Sequence, residues 1–141
     1  MNKVAKQSTT YGYGHRWDCF AKFANDGLDT TGSSTQHETG TAWWEVDLEH
    51  IIKIKDVTLK LGAYPLKHDM FKDVVILTRK TKVGEWTICK EAGRLTSTPS
   101  VIICDKPTEA RYVRVALKSK NRLYLAEVEV HGFPGKRYLL V

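Results

Sequence analysis

Polar and apolar residues alternate along much of this chain with the period of two that a half-buried β-strand imposes. The run Trp43-Trp44-Glu45-Val46-Asp47-Leu48 alternates, and so do Ile52-Lys53-Ile54-Lys55 and Val57-Thr58-Leu59-Lys60-Leu61, with one face apolar and much of the other basic. Val74-Val75-Ile76-Leu77 is continuously apolar, which suits a strand covered on both faces. Helical periodicity is nearly absent. The pattern predicts strands at about 43–48, 51–61, 71–79, 85–90, 100–105, 111–118 and 124–131. Clusters of Asn, Asp, Gly and Pro divide these runs at the spacing of an all-β sandwich. A chain of 141 residues supplies one such core. We therefore expect a single domain over 1–141, with its core at about 3–132 and a tail at 133–141.

The segment from Ser8 to Ala42 breaks the pattern. It is rich in Thr, Ser, Gly and Asp, with few consecutive apolar residues. Loops of about 35 residues are rare in compact domains unless they are functional or clamped. A metal ion is the simplest clamp. Asn25-Asp26-Gly27-Leu28-Asp29-Thr30 offers carboxylates and a glycine in a short turn, and calcium takes six to eight oxygens, backbone carbonyls included. The same Asp-Gly pair is also an ordinary turn former.

The net charge of +6 favours anionic partners. The basic residues are scattered, and neither a recognition helix nor an RNA-binding aromatic strand motif is evident, which argues against nucleic acid. No apolar run approaches the ~20 residues of a membrane-spanning helix. The first residues lack the apolar stretch of a signal peptide, which leaves the compartment open. Nucleophile elbow, zinc motif, phosphate loop and paired catalytic carboxylates are all missing, so no enzyme is expected.

Three cysteines leave at least one thiol outside an intrachain bridge. Cys89 and Cys104 lie in strand-like segments separated by Gly93 and Pro99. They are either two buried thiols or a bridge closing a loop of about 15 residues, worth roughly 3 kcal/mol by loop entropy. Cys19, beside Asp18, has no catalytic partner in the sequence and is read as structural or free.

Several of these strings together resemble one family. They are the Asn25-Asp26-Gly27 turn, Ser34 three residues before His37, the Trp43–Leu48 strand, Arg111-Tyr112-Val113 after Cys89 and Cys104, and Leu125-Ala126-Glu127-Val128-Glu129-Val130-His131-Gly132. The chain resembles, over nearly its whole length, the F-type (fucose-binding) lectins of the discoidin-like, coagulation-factor C-terminal superfamily. The resemblance implies a jelly-roll β-sandwich of the discoidin-like, galactose-binding-domain-like class. It implies a non-catalytic carbohydrate-binding module with a structural Ca2+ site and fucose or another glycan as ligand. By the same resemblance Asp26, the carbonyls of Phe23, Leu28 and Ala126, Ser34 and Glu127 would hold the calcium. Cys89 and Cys104 would form a disulfide, and the protein would be secreted or displayed at the cell surface.

For the sugar, the resemblance assigns His37 and, in the family, an Arg-x-Asp-x4-Arg/Lys element. This chain departs there. Tyr64 stands near the first arginine position, and Lys67-His68-Asp69 with Lys72 is the nearest remnant. The expected carbohydrate-binding residues are His37, Tyr64, Lys67, Asp69 and Lys72. Lysine lacks the bidentate fork of arginine, so a glycan other than fucose fits as well. The alternative is a discoidin-like adhesion module that binds a cell-surface protein or anionic phospholipid, the lipid through Leu66, Met70 and Phe71 above Lys67 and Lys72. Assembly into a homo-oligomer would raise the avidity of a lectin.

Overall fold

A computed structural model of the chain describes residues 3–12, 20–28, 31–36, 41–61 and 71–133. Eight strands follow in order: β1 (Ala5–Gln7), β2 (Ser33–Ser34), β3 (Trp43–Lys60), β4 (Val74–Arg79), β5 (Thr87–Gly93), β6 (Ser100–Leu117), β7 (Tyr124–Leu125) and β8 (Glu127–Gly132). A short 3-10 turn, Ala21–Ala24, lies between β1 and β2. The expected all-β fold is present. The strands at 43–48 and 51–61 are in fact one strand, and those at 100–105 and 111–118 are another. The short strands β1 and β2 carry too little alternation to be visible in sequence.

The main sheet runs β1-β3-β6-β4-β5, with β8 on β3; β2 and β7 form a separate pair. Two register shifts bend the long β3–β6 pair. Asp47 faces Tyr112, yet Ile52 already faces Ala110, and Glu49 takes a left-handed φ of 72° in the excess segment. The opposite imbalance follows between Ile54 and Asp56. Bulges of this kind turn a strand through a corner. The first half of β3 pairs with β1 and the second half of β6, which in turn pairs with β4. The second half of β3 pairs with the first half of β6 and with β8. Each long strand thus serves both layers of a discoidin-like β-sandwich. Trp44, Val46, Leu48, Ile54, Val57, Leu59, Val113, Val115, Val128 and Val130 fill the space between.

Cys89 of β5 is bridged to Cys104 of β6, with Cα atoms 4.6 Å apart. β5 pairs with β4, not with β6. The bridge therefore ties the edge strand of one layer to the half of β6 that lies in the other. Lys90 and Asp105 pair beside it at 2.8 Å.

Candidate functional site

Two residues fix the Asp-Gly loop. Gly27 has a φ of 80°, a left-handed conformation that glycine adopts without strain. Asp26 Oδ1 accepts the Leu28 amide at 2.9 Å, closing the turn. The 3-10 turn just before it is pinned to the core, since Trp44 Nε1 donates to the Ala21 carbonyl at 2.8 Å.

Three of the expected metal ligands then converge on one atom. Thr31 Oγ1 lies 2.5 Å from Asp26 Oδ2, 3.4 Å from the Phe23 carbonyl and 3.4 Å from the Leu28 carbonyl. Asn25, fully buried, adds an amide oxygen (Oδ1) with no hydrogen-bond partner among the described residues, while its Nδ2 donates to the Lys3 carbonyl. Ser34 sits in β2 and Glu127 begins β8; both are buried, and both strands pack against the 3-10 turn. Ala126 precedes Glu127, its amide donating to the Lys60 carbonyl. Among the described residues no three His, Cys, Asp or Glu side chains gather into a metal-binding group. The available donors are two carboxylates with carbonyl, hydroxyl and amide oxygens, a hard-oxygen set that fits calcium and not zinc or copper. Thr31 was not expected from the sequence; its position five residues after Asp26 matches no loop spacing.

Gly32 explains how β2 comes so close to β7. A Cβ there would stand 2.8 Å from the Tyr124 hydroxyl and 3.1 Å from the Leu125 carbonyl. A larger residue there would push the Tyr124 hydroxyl aside and crowd the Leu125 carbonyl.

Of the expected sugar residues, His37, Tyr64, Lys67 and Asp69 lie outside the described residues, as do Leu66 and Met70. Lys72 is exposed two residues before β4. Its neighbour Phe71 is only 2% exposed and packs in the core. That burial removes Phe71 from the apolar spike of the lipid alternative. The segment leading to His37 is held in place by hydrogen bonds. Tyr11 N donates to the Ser34 carbonyl, Gln36 N to Thr9 Oγ1, and Thr35 exchanges hydrogen bonds with Leu123. At this end the Arg122 guanidinium lies over the Tyr11 ring, 4.1 Å from its centroid, with Nε buried and unpartnered among the described residues. The sequence reading missed this arginine, because nothing local distinguishes it from a solvated one.

The model of the F5/8 type C domain matches residues 4–129, and the chain belongs to that family. Among solved structures it is similar to the lectin domain of lectinolysin complexed with Lewis B antigen, at 27% identity and a TM-score of 0.78, over 94% of each chain. It is also similar to a fucose binding module of Streptococcus pneumoniae, at 22% identity and 0.78, over 95% of this chain and 96% of that one. An F-lectin from striped bass (Morone saxatilis) serum matches at 23% identity and 0.72, over 96% of this chain and 49% of that one. No curated protein matches the chain.

Proposed function

We propose that this chain is a non-catalytic glycan-binding module whose saccharide site lies at the loop end beside Ser34–Gln36, Lys72 and Arg122. The observation that carries this reading is the likeness, over 94% of each chain, to a lectin domain solved with Lewis B antigen. Fucose is the first ligand to test. The chemistry suits a sugar: Arg122 rests over Tyr11 and offers a planar fork of N–H donors to ring and hydroxyl oxygens.

In this reading a calcium ion is held by Asp26, the carbonyls of Phe23, Leu28 and Ala126, Ser34 and Glu127, with Thr31 as a further oxygen. When bound, the ion would cross-link the Asp-Gly loop to β2 and β8 and so stiffen the base of the saccharide loops. The chain's own contribution is the turn that aims the Phe23 and Leu28 carbonyls, and Gly32, which brings β2 against β7. The Cys89–Cys104 bridge supports an oxidising, extracellular setting.

A glycan array in calcium, repeated with chelator and with free fucose, tests the proposal. Binding that needs calcium and is competed by fucose supports it in full. Binding competed only by another sugar keeps the module and changes the ligand. A blank array overturns it.

A further inference from the structure

The outer face of the β3-β6-β4 layer carries a row of alternating aromatic rings and guanidinium groups. Arg114 lies between Trp43 and Trp86, 4.0 and 4.4 Å from their centroids. Arg79 lies 4.1 Å from Trp86 and 5.8 Å from Tyr112, and Arg111 stands 5.2 Å from Tyr112. Carboxylates lock two of the arginines: Glu45 pairs with Arg114 at 2.8 Å, and Asp47 takes Arg111 in a two-point grip. The row ends in a cleft of about 330 Å³ lined by Val4, Lys6, Lys82 and Arg79 together with Glu45, Asp47, Arg111 and Tyr112. Its size is at the lower end of the range of small-ligand clefts.

The cleft holds more positive charge than its carboxylates neutralise. Among the described residues, Lys6, Lys82 and Arg79 have no carboxylate partner. Arg79 is clamped between rings and donates Nη1 to the Gly84 carbonyl at 3.2 Å, while its buried Nε has no partner among the described residues. The remaining N–H groups of this immobilised fork are preorganised for a planar carboxylate. The paired Asp47 and Glu45 keep spare lone pairs that accept from hydroxyls.

We infer that this cleft is a second ligand site, selective for a uronic-acid residue of an acidic polysaccharide. Arg79, Lys6 and Lys82 take the sugar carboxylate, and Asp47 and Glu45 take its hydroxyls. A bare polyanion is a poorer match, because those two carboxylates repel phosphate and offer it nothing to accept. The ring faces that a nucleic-acid base would stack on are occupied by arginine. Arg79, the anchor of the cleft, stands away from Lys72 at the loop end. Val74 pairs with Leu117 at the top of β4, and Arg79, five residues on, pairs with Tyr112 at the bottom, about 17 Å away at strand rise.

Calorimetric titration of the whole chain with trigalacturonate and with neutral maltotriose tests the inference. Single-stranded oligothymidylate and phosphatidylserine vesicles serve as competing polyanions. Trigalacturonate should bind and maltotriose should not. The double variant Lys6→Gln, Lys82→Gln changes only exposed side chains and should weaken binding several-fold. Arg79→Gln should weaken it tenfold or more, with folding checked by thermal melt. His37→Ala should leave uronate binding unchanged, which separates this site from the proposed glycan site. No trigalacturonate binding, equal or tighter binding of oligothymidylate or vesicles, or unchanged affinity in both cleft variants would each overturn the assignment.

Discussion

Arg111 grips Asp47 across the β3–β6 pair, with Nε 2.7 Å from Oδ1 and Nη2 2.9 Å from Oδ2. The two residues sit where β3 begins its corner, and Asp47 Oδ1 also accepts the amide of Glu49, the residue with left-handed φ. One carboxylate thus holds both the arginine and the bend.

This grip makes stability depend on pH. The hydrogen bond from Arg111 lowers the Asp47 carboxyl below its ordinary range, partial burial opposes this, and the Glu49 amide lowers it further. A depressed carboxylate stabilises the fold fully above its unfolded pKa, and that contribution disappears as pH falls through the folded one. The pair is partly exposed and screened, so we expect about 1 kcal/mol or less. Urea melts from about pH 6 down to pH 3 should show stability falling with acidification, less steeply in Asp47→Asn. An unchanged slope in that variant would remove Asp47 as a source.

Much of this architecture was legible because burial imposes a period of two. Trp44, Val46 and Leu48 face inward and Trp43, Glu45 and Asp47 outward, as the alternation requires. The corners were not legible. A bulge keeps the chain in strand conformation while altering the register, so one bent strand reads as two. The Asp-Gly loop was visible through Asn25, Asp26 and Gly27, but Thr31 was not, since its role depends on how the turn folds back. The arginine–aromatic row was also hidden: Trp43, Trp86, Arg79 and Tyr112 come from separate segments, and only the pairing of β3, β6, β4 and β5 sets them side by side.

Removing Asp26 should expose the metal dependence of the loop. Asp26→Ala should lower the melting temperature in calcium by clearly more than in chelator. The residue also closes its own turn and accepts from Thr31, so about 1 kcal/mol should be lost even in chelator. Glu127→Ala should show the same excess in calcium. Equal shifts with and without calcium in both variants would exclude them as ligands.

Opening the disulfide should cost roughly 3 kcal/mol by loop entropy for the 15-residue separation. Cys89 and Cys104 are both buried, so a Cys89→Ala, Cys104→Ala double variant avoids stranding a polar thiol. Its denaturant midpoint should drop while the fold, followed by circular dichroism, persists below the transition. Because β5 has no ladder with β6, its amides should lose more hydrogen-exchange protection than those of β3. Uniform loss across the sheet would mean that the bridge acts on the unfolded chain alone.

The stacked pair at the loop end discriminates between a binding role and a packing role. If Arg122 presents donors to a sugar, Arg122→Lys should keep the charge yet lose the planar fork, weakening glycan binding about tenfold, or roughly 1.4 kcal/mol. Tyr11→Phe keeps the ring under the guanidinium and should bind nearly as wild type, whereas Tyr11→Ala lets the arginine swing and should bind more weakly. All three variants should melt close to wild type, because Tyr11 is exposed and Arg122 half-buried. Surface plasmon resonance on immobilised fucosylated glycan, with calcium present, measures the series. Equal affinity across the variants would move the saccharide contacts away from Arg122 and back onto the loops that carry His37 and Lys67.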